Sequence, residues 1–538
     1  MQFRWNHTQG APDYDRETGF GFVTGAVYTA DAALHIPETN SGFLPLWWYA
    51  GTPIFDIRQS EYGLQATAAE ALRTEDAAGR RLPVWLRIQV PGEGVYRAEI
   101  TVTGTNGGEM LVFTGRRRLA WRGVLPAGAQ QIVTAYCDVF PIVPRGQADA
   151  VASDAVNIAV VGGALSAVAL AEAPHTRRIW VCGDSTVTDQ TGELPYAPGT
   201  SYAGWGQMLP AYLPEVCITN HAHSGLTTES FLSEGHWAIV KPRLRAGDIC
   251  LFQFGHNDQK LAHLQARGGY TDRLRTYIKE TRTAGAVPVL ITPLARNSWR
   301  DPTHYNDFLA DFADAVLDLG KEEAVPVLDL HAYAMQLIRQ EGLETAKRWF
   351  YPGDYTHTND FGAYRMAGFV AGALGTAAGL PVADAPAWTP APPFVPLTPP
   401  KDCTLPAPDT DPFADYDAAR PQEVLTRAEA LELAIKALKL FPINVYNDLY
   451  ADIVGHETYA GTVQCAAQND LIPAAWVADG KLYPQRTVTA ADFLAVLMPG
   501  AAGRRPLAAP SSLPDTVPAY ARFAAGQAVA EQLKGAAQ

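Results

Sequence analysis

Between residues 176 and 378, short apolar runs at 178–182, 216–220, 249–254, 287–292 and 326–330 alternate with stretches of helical pattern. No other feature limits the fold so tightly. Apolar runs of this length read as strands buried on both faces, and strands separated by helices pair in parallel. One intervening helix is predicted from Tyr270 to Lys279. The pattern predicts an α/β domain, a parallel sheet with helices on both faces. In such sheets ligands bind beyond the carboxyl ends of the strands. The residues following each run are therefore where chemistry is expected.

Four polar clusters occupy such places: Gly183-Asp184-Ser185-Thr186, then Asn220-His221-Ala222-His223-Ser224-Gly225, then Gln253-Phe254-Gly255-His256-Asn257-Asp258, and finally Asp354-Tyr355-Thr356-His357. A serine hydroxyl becomes a nucleophile when an imidazole accepts its proton. That imidazole works best with a carboxylate fixing its tautomer. Ser185, His357 and Asp354 supply these three groups, and the three-residue spacing of Asp354 and His357 lets one turn place both beside a cleft. A developing oxyanion needs donors already in place. The Ser185 and Gly225 N–H groups and the Asn257 amide are of the right types.

Substrate contacts are expected from Asp184, Trp205, His256, Lys260 and Arg296. Asp184 also stabilises its own turn, and Trp205 stacks on a sugar ring or packs on the sheet. His256 is a cleft-wall or core histidine. Lys260 and Arg296 follow strand ends, where they meet a substrate carboxylate or solvent. His221, His223 and His256 raise a zinc reading, but no carboxylate or cysteine completes a set. No metal or cofactor is expected.

A chain of 538 residues divides into about three domains. Residues 1–172 carry short Val- and Thr-rich runs between glycines and predict a β-sandwich. Residues 173–380 form the α/β domain, 381–420 a Pro-rich extended linker, and 421–538 a small helical domain. Arg116-Arg117-Arg118 reads as a solvated turn, and Trp47-Trp48-Tyr49 as packing or sugar-stacking aromatics. In the tail, Thr426-Arg427-Ala428-Glu429 is a capping box. It recurs at Thr489-Ala490-Ala491-Asp492, and Asp452-Ile453-Val454 recurs at Asp515-Thr516-Val517, in one register.

The formal charge of −14 argues against nucleic acid as a partner and mildly favours neutral substrates. An acidic polysaccharide would need a local basic patch. Six scattered cysteines include no Cys-x-x-Cys pair. Free thiols and the absence of an apolar leader in Met1–His7 predict a cytoplasmic protein that binds no membrane; a removed signal would make it secreted or wall-associated.

The ordered blocks Gly-Asp-Ser, lone Gly, Gly-x-Asn-Asp and Asp-x-x-His resemble the SGNH (GDSL-type) hydrolases, whose domain is flavodoxin-like. Gly183 to Gln190, Gly204 to Pro210, Gln253 to Lys260 and Asp354 to Asn359 look like the rhamnogalacturonan acetylesterase branch, carbohydrate esterase family 12, over residues 176–375. Gly19-Phe20-Gly21-Phe22-Val23 and Gly115 to Leu119 look similar to the galactose-binding-like β-domain of some members. The tail resembles S-layer homology modules, which implies cell-wall contact; a structural role is the preferred reading. The resemblance implies a serine esterase that removes O-acetyl groups from pectic polysaccharide or oligosaccharide. Acetylxylan or small esters, and a glycan-binding protein with a vestigial site, are the alternatives.

Overall fold

The computed structural model describes residues 2–23, 55–68, 82–143, 149–190, 196–261, 263–301, 304–390, 425–437, 449–453, 457–468, 471–488 and 492, with short pieces at 27–28, 34–35, 48–49 and 192–193. Trp47, linker residues 391–420 and the second copies at 489–491 and 515–517 lie outside the described residues.

The apolar runs become β1 (Arg178–Gly183), β2 (Cys217–Asn220), β3 (Ile249–Gln253), β4 (Val287–Ile291) and β5 (Val327–Leu328). All pair in parallel, in the order β2-β1-β3-β4-β5. This is the flavodoxin-like order, with a switch point between β1 and β3. β1, β2 and β3 are buried throughout, as continuous apolar runs require. Helices α1 (Thr271–Thr283), α2 (Ala310–Glu322), α3 (Leu330–Ala346) and α4 (Asp360–Ala378) follow or separate them. Thr281, Ile278 and Leu274 give α1 a buried face at helical spacing. Two cores flank the sheet. Ile179 and Val181 join α4 residues such as Ala367 and Val370. Trp180, Cys182 and Cys250 join Leu274 and Tyr277 of α1.

The amino-terminal region holds two antiparallel sheets. One runs in the order Gln130–Val139, Gly94–Thr103, Ala164–Glu172, Gly63–Ala68, Phe55–Ser60, with Gln2–Asn6 also paired to Ala164–Glu172. The other runs Arg118–Val124, Glu109–Thr114, Ala155–Val161, Pro83–Gln89, Phe20–Phe22. The second sheet is buried on both faces, and the period of two divides its side chains between different cores. Val84, Leu86, Val112, Ile158 and Val160 pack against the first sheet. Trp85, Leu111, Phe113, Ala159 and Val161 join Tyr196, Trp205 and Met208 of the α/β domain.

Two expectations change here. Arg116, Arg117 and Arg118 are not a solvated run. Arg117 is fully buried against Asp360 at 2.7 Å, and Arg116 and Arg118 flank the buried Asp189 at 3.2 and 3.4 Å. Guanidinium groups this deep need carboxylates, and the α/β domain provides them. Nor is residue stretch 381–390 a free spacer. Trp388 is buried against Phe361 and Tyr364, and Arg122 donates to the Pro386 and Ala387 carbonyls.

In the tail, Thr426 N–H donates to Glu429 Oε2 at 2.7 Å and Glu429 N–H to Thr426 Oγ1 at 3.3 Å, closing the capping box. Arg427 donates to the Trp476 and Leu482 carbonyls, and Asp452 accepts from Leu482 and Tyr483 N–H. The box arginine and the aspartate therefore hold one turn of their own unit.

At the base of the α/β sheet, Asp248 Oδ2 accepts from Arg178 Nη2 at 2.6 Å, Trp180 Nε1 at 3.1 Å and Arg245 N–H at 3.0 Å. Asp248→Ala strands a buried guanidinium and is expected to cost about 3–5 kcal/mol. The check is the thermal midpoint of the α/β transition, which should fall by several degrees.

Candidate active site

The site is assembled from the loops that follow β1, β2 and β3 and from the segment before α4. β1 ends at Gly183 because nothing larger fits: a Cβ there would lie 2.6 Å from the Gln253 carbonyl and 2.8 Å from Val187. Asp184 Oδ1 then accepts from Thr186 N–H at 2.9 Å and Thr186 Oγ1 at 2.8 Å. This tight turn holds Ser185 at the rim. Cys182, one residue before the turn, is buried in the core, and burial raises its thiol well above the ordinary range. Ser185 is thus the nucleophile type that the turn presents.

Asp354 and His357 lie in a loop rather than on a helical turn. Asp354 closes the loop on itself, its Oδ1 accepting from Thr356 N–H at 2.6 Å and His357 N–H at 2.9 Å. Its Oδ2 lies 2.8 Å from His357 Nδ1, and His357 Nε2 lies 2.8 Å from Ser185 Oγ. Burial works against the Asp354 charge, but the His357 ring and the two N–H donors outweigh it and hold the carboxyl below its ordinary value. The stability this pair contributes is therefore present above the ordinary Asp range and lost as pH falls through the lowered value. The chain of bonds can carry a proton from Ser185 to the imidazole, with Asp354 stabilising the imidazolium.

The loops after β2 and β3 bring the oxyanion candidates to the same cleft, of about 430 Å³, which Ser185, Gly225, Asn257 and His357 all line. Gly225 has φ +88°, a left-handed conformation that favours glycine. Among the described residues, the Ser185 and Gly225 N–H groups have no protein acceptor. Asn257 Nδ2 donates to the Leu226 carbonyl at 3.0 Å, and Lys260 Nζ donates to Asn257 Oδ1 at 2.8 Å. These two bonds fix the amide and leave its second N–H for a ligand. Asp258 ties the two loops together, accepting from Gly255 N–H and from the Thr228 N–H and hydroxyl.

Of the residues expected to meet substrate, His256, Lys260 and Arg296 line the cleft; Asp184 and Trp205 do not. Asp184 is fully buried below the rim, bonded to Thr186 and, through Oδ2 at 3.2 Å, to His256 Nδ1. Trp205 is fully buried, with its indole N–H on Gln253 Oε1 at 2.8 Å. It packs on the sheet and presents no ring to a sugar. His256 Nε2 faces the Leu294 carbonyl at 2.9 Å, so both ring nitrogens face acceptors. The Arg296 guanidinium is buried, and its Nε and Nη1 find no acceptor among the described residues. Burial and the neighbouring Arg296 charge lower Lys260 from its ordinary value.

His221 packs at a tilt against Trp180, and His223 lies beside His236. Among the described residues no three His, Cys, Asp or Glu side chains gather as a metal site would need. Sequence reasoning left Gln190 and Tyr202 without roles, although both line the cleft. Gln190 Nε2 donates to the Ser185 carbonyl at 2.8 Å, and Tyr202 sets its ring edge-on to His357. Gln190 closes the Gly183 to Gln190 block, which is the signal available for it; Tyr202 carries none, since its partner is reached through the fold.

Residues 181–365 match the GDSL-like Lipase/Acylhydrolase family. The chain is 33% identical over 222 residues to the rhamnogalacturonan acetylesterase RhgT of Bacillus subtilis (strain 168), spanning 38% of this chain and 93% of that protein. It is 33% identical over 202 residues to the probable rhamnogalacturonan acetylesterase YesY of the same organism, spanning 36% and 90%. A longer match, 25% identical over 368 residues, covers 66% of this chain and 82% of the uncharacterized esterase YxiM, again of B. subtilis. The chain belongs to the GDSL-like lipase/acylhydrolase family. Its activity is that of a carboxylic ester hydrolase.

Asp354→Asn leaves His357 without the acceptor that sets its tautomer. Hydrolysis of p-nitrophenyl acetate by the folded variant is expected to fall about 10³–10⁴-fold in kcat. A loss below tenfold would count against the relay.

Proposed function

We propose that the protein is a serine esterase that removes O-acetyl groups from acidic plant cell-wall glycans, rhamnogalacturonan or its oligosaccharides. The observation that carries the reading is the pair of 2.8 Å contacts joining Ser185, His357 and Asp354. Ser185 Oγ attacks the acetyl carbonyl while His357 Nε2 takes its proton. The Ser185 and Gly225 N–H groups and the Asn257 amide receive the oxyanion. His357 returns the proton to the departing sugar oxygen, leaving an acetyl-enzyme. Water, activated by the same imidazole, then releases acetate and restores Ser185.

Acetylated carbohydrate is supported by the relatives named as rhamnogalacturonan acetylesterases. An acidic glycan is supported by Arg296 and Lys260. Both line a cleft whose own carboxylate, Asp354, is bonded to His357, and the Arg296 charge adds to burial in lowering Lys260. A substrate carboxylate would offset the charges of Arg296 and Lys260. The formal charge of −14 over the whole chain instead favours a neutral glycan such as acetylxylan. In this reading the two antiparallel sheets are a galactose-binding-like accessory unit. The tail, read here as resembling S-layer homology modules, takes a structural role, a reading supported by the occupation of Arg427 and Asp452 within it.

Ser185→Ala is expected to lower kcat on p-nitrophenyl acetate by about 10⁴-fold or more with an unchanged thermal midpoint. Retained activity in a pure, folded sample would end the nucleophile assignment. Acetate release should be faster from acetylated rhamnogalacturonan than from acetylxylan. Arg296→Met should lower kcat/KM on the acidic glycan about 10–100-fold more than on p-nitrophenyl acetate, the ~1.5–3 kcal/mol of a charge-assisted hydrogen bond. Equal losses on both would favour the neutral substrate.

A further inference from the structure

We propose that Arg117, which the amino-terminal sheets contribute, is a positioning residue that holds the nucleophile loop and the His357 segment in register. The proposal rests on the triad reading above. Arg117 sits at the tip of the turn between strands Glu109–Thr114 and Arg118–Val124 and is fully buried in the α/β domain. Its guanidinium makes three bonds there, each to a segment carrying part of the site.

Nη1 donates to Asp360 Oδ1 at 2.7 Å. Asp360 lies three residues after His357 and opens α4. Its carboxylate also accepts from Tyr196 Oη at 2.8 Å and Gly199 N–H at 2.9 Å. Nη2 donates to the Tyr202 carbonyl. Ala203, the next residue, exchanges bonds with Thr358: its N–H reaches the Thr358 carbonyl at 3.0 Å, and Thr358 Oγ1 reaches the Ala203 carbonyl at 2.7 Å. Thr358 adjoins His357, and the Tyr202 ring stands edge-on to the imidazole, 5.6 Å between centroids. Nε donates to the Gln190 carbonyl at 3.1 Å, and the Gln190 side chain holds the Ser185 carbonyl at 2.8 Å. One rigid, planar group thus connects the backbone on both sides of the Ser185–His357 contact.

The turn itself bears this out. Arg117 has φ +60°, a conformation that a side chain with a Cβ adopts only where its surroundings over-determine it. A glycine would relieve the backbone but lose all three bonds. The sheet behind the turn is packed into the α/β core through Leu111, Phe113 and Leu119, so the guanidinium is delivered from a fixed base. The amino-terminal sheets therefore complete the catalytic architecture as well as packing beside it.

The test uses the full chain. Arg117→Met and Arg117→Lys are compared with the wild type on p-nitrophenyl acetate, well below each thermal midpoint. Competent serines are counted by the p-nitrophenol released on stoichiometric reaction with a p-nitrophenyl alkylphosphonate. The expected result is a fall of tenfold or more in kcat per competent serine for Arg117→Met, with KM within twofold, and partial recovery in Arg117→Lys. Wild-type kcat per competent serine in these variants, with only the thermal midpoint lowered, would overturn the proposal. Where Arg117→Met does not fold, Arg117→Lys alone decides by the same measure, a fall of threefold or more supporting it and wild-type kcat overturning it. Ser185→Ala run alongside separates the two readings. If it keeps activity, the triad fails; if it is inactive while the Arg117 variants run at wild-type kcat, only the positioning role fails.

Discussion

Parallel strands place their carboxyl ends on one edge of a sheet, and each leaves backbone groups there that the sheet cannot satisfy. Everything at this rim follows from that constraint. Asp184 answers it after β1 by accepting from Thr186, and Asn220 after β2 by accepting from Ala222 N–H. Asp258 does so after β3 and Asp354 before α4. These carboxylates and amides make the loops short and stiff. Stiff loops hold Ser185 Oγ and His357 Nε2 at 2.8 Å across 172 positions of chain. The acidic residues of the motifs thus have two occupations, and only Asp354 faces the cleft.

The amino-terminal sheets extend the same logic beyond the α/β domain. Their second sheet carries apolar side chains on both faces, because one face covers its own core and the other covers Trp205, Met208 and Tyr196. An edge that packs so closely brings its turn with it. Arg116, Arg117 and Arg118 then meet Asp189 and Asp360, carboxylates that would be costly to bury alone. The match to YxiM, which covers 66% of this chain, shows a likeness extending well beyond the hydrolase region.

How much was legible beforehand differs from residue to residue. The strands of the α/β domain were readable to within a residue or two because a buried parallel strand is a continuous apolar run. Ser185 stands out because it follows an apolar run, and Asp354 and His357 because their three-residue spacing pairs a carboxylate with an imidazole. Trp205 and Asp184 lie outside the cleft, where sheet packing and turn stabilisation, the roles weighed beside substrate contact, are what they do. Each sits in a motif beside the cleft, and motif membership does not say which way a side chain turns. Tyr202 has no signal in the sequence because its partner, His357, lies 155 positions along the chain, and Gln190 has none for its bond to the Ser185 carbonyl because only the shape of the turn brings the two together.

By itself, the sequence determined the kinds of element, their succession, the capping box at Thr426 and Glu429, and the chemical groups available at each strand end. Those are local properties, set by periodicity, turn chemistry and side-chain type within a few residues. Only the tertiary structure decided the β2-β1-β3-β4-β5 order, the division of the second sheet's faces between two cores, and the burial of Arg117 against a carboxylate 243 positions away. Burial and pairing are relations between distant segments. A run of three arginines reads the same whether water or Asp360 lies in front of it, and packing alone tells them apart.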